Sequence, residues 1–282
     1  MRGRAQAAMV ALLGAFVPFV SPGTVALVSL RRGGFDGFYV GGWAMLPVVV
    51  LTFVDPQSLP VAFYYFCVLV VAIGGALVLR SQGIWPVSVI GLVVLSATGG
   101  LVFGLSFPGF NEQLIAEVQQ IQEETRARLQ EQGTELSEPI TITTTLIAGF
   151  VAALVAFNGV LALVIGRWWQ AMLYNPGGFR EEFQQFRLGK TQSLLLFGIA
   201  AICVSRPNWF FWGMLAALPL FLVCAAIVHN RVYAKGGGLA WLILFYLLSI
   251  FQPFFLLAFS IGFTDAWVDY RRRFGPQLNN EQ

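Results

Sequence analysis

Runs of apolar residues fill the chain from residue 5 to residue 270, and one long hydrophilic stretch, residues 108–140, interrupts them. The runs Phe38 to Val54, Pro60 to Leu79, Ile84 to Phe107, Thr141 to Gly166 and Trp209 to Val228 carry no charged residue. Each is close to the roughly 20 residues a helix needs to cross a hydrocarbon core about 30 Å thick, where every backbone N–H and C=O must be paired within the segment. Thr191 to Ser205 is shorter but is bounded by Lys190 and by Arg206-Pro207. Two regions are broken, Ala5 to Leu30 by Ser21-Pro22-Gly23 and Gly238 to Tyr270 by Gln252-Pro253, and each reads either as one kinked helix or as a pair of short ones. The pattern predicts an all-α fold, a polytopic transmembrane helical bundle of about 8 to 10 membrane segments, two of them short broken hairpins.

The insert has a helical period of its own. Asn111 is placed to cap it, Leu114, Val118, Ile121 and Leu129 form one stripe, and Gly133 is placed to stop it. Glu112, Glu117, Glu123, Glu124, Glu131, Glu135 and Glu138 outnumber Arg126 and Arg128. The expectation is an amphipathic helix in the periplasm, either solvated and lightly packed or a coil that binds a partner. The chain then divides into N-terminal membrane segments (1–107), the acidic insert (108–140), C-terminal membrane segments (141–270) and a cytoplasmic tail (271–282).

Charge decides between the readings of the broken regions. If each broken region crosses twice, 14 of the 17 basic residues fall on the cytoplasmic side, leaving only Arg126, Arg128 and Arg206 outside. A single crossing would instead translocate Arg2, Arg4 and Arg271 to Arg273, against the positive-inside rule. The expected orientation places both termini inside and the acidic insert outside, in a bacterial inner membrane. Trp43, Trp85, Trp168, Trp169, Trp241 and Trp267 mark the inner boundary, and Trp209 and Trp212 the outer one. After the breaker Asn175-Pro176-Gly177-Gly178, Phe179, Phe183 and Phe186 alternate with Arg180, Gln184 and Arg187, predicting an interfacial helix over 179–188.

A chain that is 57% hydrophobic and 11% charged leaves no room for a soluble domain between its spans, and a net charge of +3 in short loops speaks for orientation rather than nucleic-acid binding. Cys67, Cys203 and Cys224 lie within apolar runs and read as small buried hydrophobes rather than a metal cluster. With His229 the single histidine, two-His zinc sites are excluded, and no catalytic residue, metal or cofactor is expected. Leu188-Gly189-Lys190-Thr191 ends like a phosphate loop, but Gln184 stands where the first glycine is needed.

Polar groups at membrane depth are the best site candidates, because an unpartnered one is costly there. Asn158 lies inside its span, and Gln252 sits at a proline break. Arg206 and Asn208, beside Trp209 and Trp212, offer a cation, a hydrogen bond and stacking faces near the outer leaflet, suited either to an anionic or aromatic ligand or to headgroup anchoring. Ala7, Ala11 and Ala15, like Gly100 and Gly104, recur every four residues, which lets helices approach closely, either within the chain or against a partner subunit. Asp269 and Arg273 are spaced for a helical ion pair, and Asp265 lies near the same interface.

The strings Arg167-Trp168-Trp169-Gln170, Asn175-Pro176-Gly177-Gly178-Phe179-Arg180 and Asp265-Ala266-Trp267-Val268-Asp269-Tyr270-Arg271-Arg272-Arg273 resemble the YybS-like family of predicted bacterial inner-membrane proteins. That family is similar in turn to the substrate-binding S components of energy-coupling-factor transporters. The resemblance implies a small-molecule substrate-binding or permeation subunit that docks a coupling subunit through the Ala7, Ala11, Ala15 face, with separate ATPases. The acidic insert and the extra C-terminal segments depart from a six-span S component. A non-transporting scaffold, recruiting partners through the insert and the inner aromatic-basic helix, is the alternative.

Overall fold

Apolar segments free of internal breakers form long helices, and the breakers fall between them. The computed structural model describes residues 3–17, 19–132 and 141–274, and every regular element among them is helical. Gly133, Glu135 and Glu138 of the insert, Arg2, and the tail beyond 274 lie outside the described residues. The first elements are α1 (Arg4–Gly14), α2 (Val20–Arg32), α3 (Gly34–Val54), α4 (Leu59–Gln82), α5 (Trp85–Ser106) and α6 (Pro108–Glu131). After the insert come α7 (Thr144–Tyr174), α8 (Gly178–Gln184), α9 (Lys190–Val204), α10 (Phe210–Ala234), α11 (Leu239–Leu248), α12 (Gln252–Val268) and α13 (Tyr270–Phe274). Five helices, α3, α4, α5, α7 and α10, are long and apolar enough to cross a membrane; α9 is shorter, and α11 with α12 forms a pair bent by 111° that passes the same test together.

The chain folds around α7, which packs on α2, α4, α5 and α10. Small residues allow these approaches. A Cβ on Gly100 of α5 would lie 2.5 Å from the Ala148 carbonyl oxygen, and one on Gly166 would lie 2.9 Å from the Leu27 backbone nitrogen. Gly100 and Gly104 therefore mark an internal face of α5 against α7, where van der Waals contact at short range replaces the missing hydrophobic drive.

The first broken region is a hairpin whose two ends meet at Asp36, and the second is a pair of helices bent by 111°. α1 and α2, at about 1.5 Å per residue, reach only about 16 and 20 Å, too short to cross a core of about 30 Å. The reversal falls between α1 and α2, with Phe19 at a left-handed φ of 65°, and not at Ser21-Pro22-Gly23. Pro22 lies in the first turn of α2, where a missing N–H removes no helical bond. α2 is buried from Ser21 through Leu30. Arg4 and Arg32, from opposite ends of the hairpin, both reach the buried Asp36, at 2.7 and 3.6 Å. In the second region the break falls at 249–251, and Pro253 opens α12.

The same face gathers the remaining long-range ionic contacts. Arg80 donates to the Leu30 carbonyl at 3.1 Å, Arg167 donates to Glu182, and Trp85 donates its indole N–H to Glu182 at 3.3 Å. Arg187 pairs with Asp269 at 2.9 Å and donates to the Asp265 carbonyl, while Arg271 donates to the Phe186 carbonyl at 2.7 Å.

Three expectations are corrected here. The interfacial helix α8 stops at Gln184 rather than 188, because Phe186 and Leu188 turn into the core and the Phe186 carbonyl serves Arg271. Asp269, with φ 50°, breaks the helix between α12 and α13, so its side chain meets Arg187 instead of Arg273. Trp43 stands near the middle of α3 rather than at an end, because that helix begins at Gly34.

The insert forms α6. Asn111 is not its cap; Phe107 is, and the Asn111 amide, buried, donates to the Gly104 carbonyl at 3.1 Å. Leu114 and Ile115 pack on the core below, whereas Ile121 is exposed.

Candidate functional site

α7 and α10 diverge enough to leave a groove between them, with α8 closing one end and the α11–α12 bend forming a side wall. Its volume is about 810 Å³, and it is open along one flank. Phe150, Phe157 and Leu161 of α7 face Phe211, Met214 and Leu218 of α10. From Phe150 to Met172 the α7 wall extends about 33 Å at the helical rise, close to a full hydrocarbon thickness. Phe150, Phe157 and Met172 are exposed at its rim, so the groove opens onto the outer apolar surface of the bundle.

Polarity in this groove is confined. Arg180 and Gln184 of α8, and His229 of α10, line the end nearest the ionic face; Tyr246 and Ser249 lie at the hairpin wall. Arg180 holds its guanidinium 3.8 Å above the Tyr233 ring, a cation–π placement that fixes it without an ion pair among the described residues. The neighbouring carboxylate of Glu182 is occupied by Arg167. His229 Nε2 and the Tyr246 hydroxyl are 3.0 Å apart, tying α10 to α11. The groove is thus apolar along its length and polar at one end.

The residues singled out from sequence lie elsewhere. Asn158 donates to the Tyr64 hydroxyl at 2.9 Å and to the Leu154 carbonyl, joining α7 to α4, and does not border the groove. Arg206 is exposed beside Asn208 in the turn between α9 and α10. Trp209 and Trp212 lie together, ring centroids 6.2 Å apart, but the Trp212 indole donates to the Thr145 carbonyl and serves as a tie between α10 and α7. None of these five lines the groove. Gln252 is exposed at the start of α12.

Ala7 and Ala11 are buried in one cluster with Val25, Val28, Val40 and Ala44, so this small-residue face is taken up by the chain's own α2 and α3; Ala15 is half-buried at the turn. Cys67 and Cys224 are buried and Cys203 half-buried, all as free thiols. Asp265 is fully buried, its Oδ2 3.6 Å from Arg187 Nε and 3.5 Å from Arg271 Nη1. Burial acts to raise the nearby Asp269 carboxyl; hydrogen bonds from Arg187 and the Arg272 N–H, with the charges of Arg187 and Arg271, outweigh it and hold the group below the usual carboxylate range. Burial pulls the Arg271 guanidinium down from its ordinary value, against the attraction of Asp265.

Sequence reasoning found Arg180, Gln184, Phe179 and Phe183 as members of an interfacial helix but not as the closed end of a groove. The signal was present in the aromatic-basic alternation; the partner wall, α10, lies some 30 residues away and no local pattern pairs them. No protein-family model, curated protein or solved structure matches the chain.

Proposed function

We propose that this chain is an integral membrane protein that binds a small amphipathic molecule in the α7–α10 groove, as a substrate-binding or permeation subunit, with any ATP hydrolysis carried out by partner subunits. The observation that carries the reading is the groove itself: apolar along a membrane thickness, open sideways and polar at one end. A lipid-soluble ligand enters such a site laterally and gives up little hydration in doing so. The orientation that accompanies this reading puts the ionic face in the cytoplasm and α6 in the periplasm of a bacterial inner membrane, supported by the clustering of Arg4, Arg32, Arg80, Arg167 and Arg187 on one face. Kinship with the YybS-like family, and through it with S components, is part of the same proposal.

Mass spectrometry of small molecules co-purified with the wild type and with Leu161→Trp is the test. A bulky indole at Leu161 fills the groove without entering the core between α7 and α5. An amphipathic molecule retained by the wild type and absent from the variant is the expected result; equal retention by both would sink the reading.

A second reading has one observation behind it. α6 packs on the core through Leu114 and Ile115 in its first turns and leaves Ile121 exposed, as a scaffold that recruits a partner through its insert would require. Removing residues 116–138 would then abolish capture of that partner while ligand retention persists.

A further inference from the structure

We propose that the inner end of the groove holds the anionic headgroup of a membrane phospholipid, with an acyl chain lying along α7 and α10. This inference rests on the groove reading above and names its ligand class.

Three observations converge on it. The polar groups at the closed end are Arg180, Gln184 and His229, so this end offers one fixed cation and amide hydrogen-bond capacity, with no carboxylate in the lining. Glu182, the nearest acidic group on α8 to turn inward, is spent on Arg167 and on the Trp85 indole, so it does not neutralise Arg180. The Tyr233 ring beneath Arg180 leaves the guanidinium edge available, and that edge presents N–H groups in the fork geometry that matches a phosphate.

The rest of the ligand follows from the walls. Phe157, Leu161 and Val164 of α7 oppose Met214, Leu218 and Leu222 of α10, without a polar side chain between them. A free phosphate would gain nothing from this length of apolar wall, whereas an acyl chain moves from the surrounding hydrocarbon into it at little cost and is held in register by its headgroup. A zwitterionic headgroup brings its own ammonium beside the phosphate, and Arg180 repels that cation, so anionic lipids are preferred over zwitterionic ones.

The experiment uses the full chain in detergent, with native mass spectrometry and thermal unfolding as readouts. Phosphatidylglycerol, phosphatidylcholine and inorganic phosphate are added separately. The wild type is expected to form a one-to-one adduct with phosphatidylglycerol, to bind phosphatidylcholine about tenfold more weakly, and to show no thermal shift with phosphate. Arg180→Gln should bring the two lipids to equal affinity, and Arg180→Lys should retain part of the preference. Leu161→Trp, or Met214→Trp from the facing wall should the first fail to fold, should lose both adducts.

Equal binding of the two lipids by the wild type would overturn the headgroup assignment and leave the groove reading standing. A shift with inorganic phosphate equal to that with phosphatidylglycerol would overturn the lipid as its source. Adducts that persist in both tryptophan variants, or a dimer in place of a lipid adduct, would overturn the groove reading as well.

Discussion

Asn158 and Arg206 are polar residues of similar promise in sequence with different fates in the fold. Asn158 satisfies the Tyr64 hydroxyl across two helices, so Asn158→Leu should lower stability by about 1 kcal/mol, in the range of interhelical hydrogen bonds within membranes, without changing ligand retention. Arg206 sits exposed in a turn away from the groove, and Arg206→Ala should leave both thermal stability (within about 0.5 kcal/mol) and ligand content unchanged. Thermal unfolding in detergent and mass spectrometry on the same preparations check both. A loss of ligand in Arg206→Ala would return attention to the outer aromatic cluster. The depth of each residue was legible in the sequence; what each touches was not, because Tyr64 and Asn158 are 94 positions apart.

Small residues set the distances between helices, and their replacement reports which faces are internal. Ala11 is fully buried, so Ala11→Leu should overpack the α1–α2–α3 contact and cost about 1–3 kcal/mol, seen as a lower unfolding midpoint in the purified chain alone. Loss of a co-purifying subunit with an unchanged midpoint would instead make that face a docking surface. In α12, a Cβ on Gly262 would collide with the Leu220 carbonyl oxygen, so Gly262→Ala should separate α12 from α10 and loosen the groove wall.

The anchoring of α12 is also pH-dependent by its chemistry. Asp269 has its carboxyl held below the usual range, and such a group contributes stability that is full above its unfolded value and is lost as pH falls through the folded one. Lowering the pH from neutrality into the acid range should therefore lower the unfolding midpoint more in the wild type than in Asp269→Asn; parallel curves would contradict this.

At the scale of the molecule, the ionic contacts of α1, α2, α4, α7, α8 and α12 share one face, and α6 leaves the opposite end. With cysteines placed at Gln130 on α6 and at Gln185 after α8, both exposed, a membrane-impermeant thiol reagent applied to intact cells should label only the first. Labelling of the second alone would invert the orientation.

The sequence by itself determined the helical class, the positions of the long apolar helices and the sorting of basic residues to one side. These follow from local rules: backbone pairing within a segment, the length of an apolar run, and the cost of carrying charge across lipid. Only the tertiary structure decided that the broken regions turn between α1 and α2 and bend at residues 249–251, that the alanine face is internal, and that a groove lies between α7 and α10. Each of these depends on which helix lies beside which. In a chain whose faces are nearly all apolar, hydrophobic periodicity no longer separates inside from outside, and the choice passes to close packing of small residues and to ion pairs between distant segments.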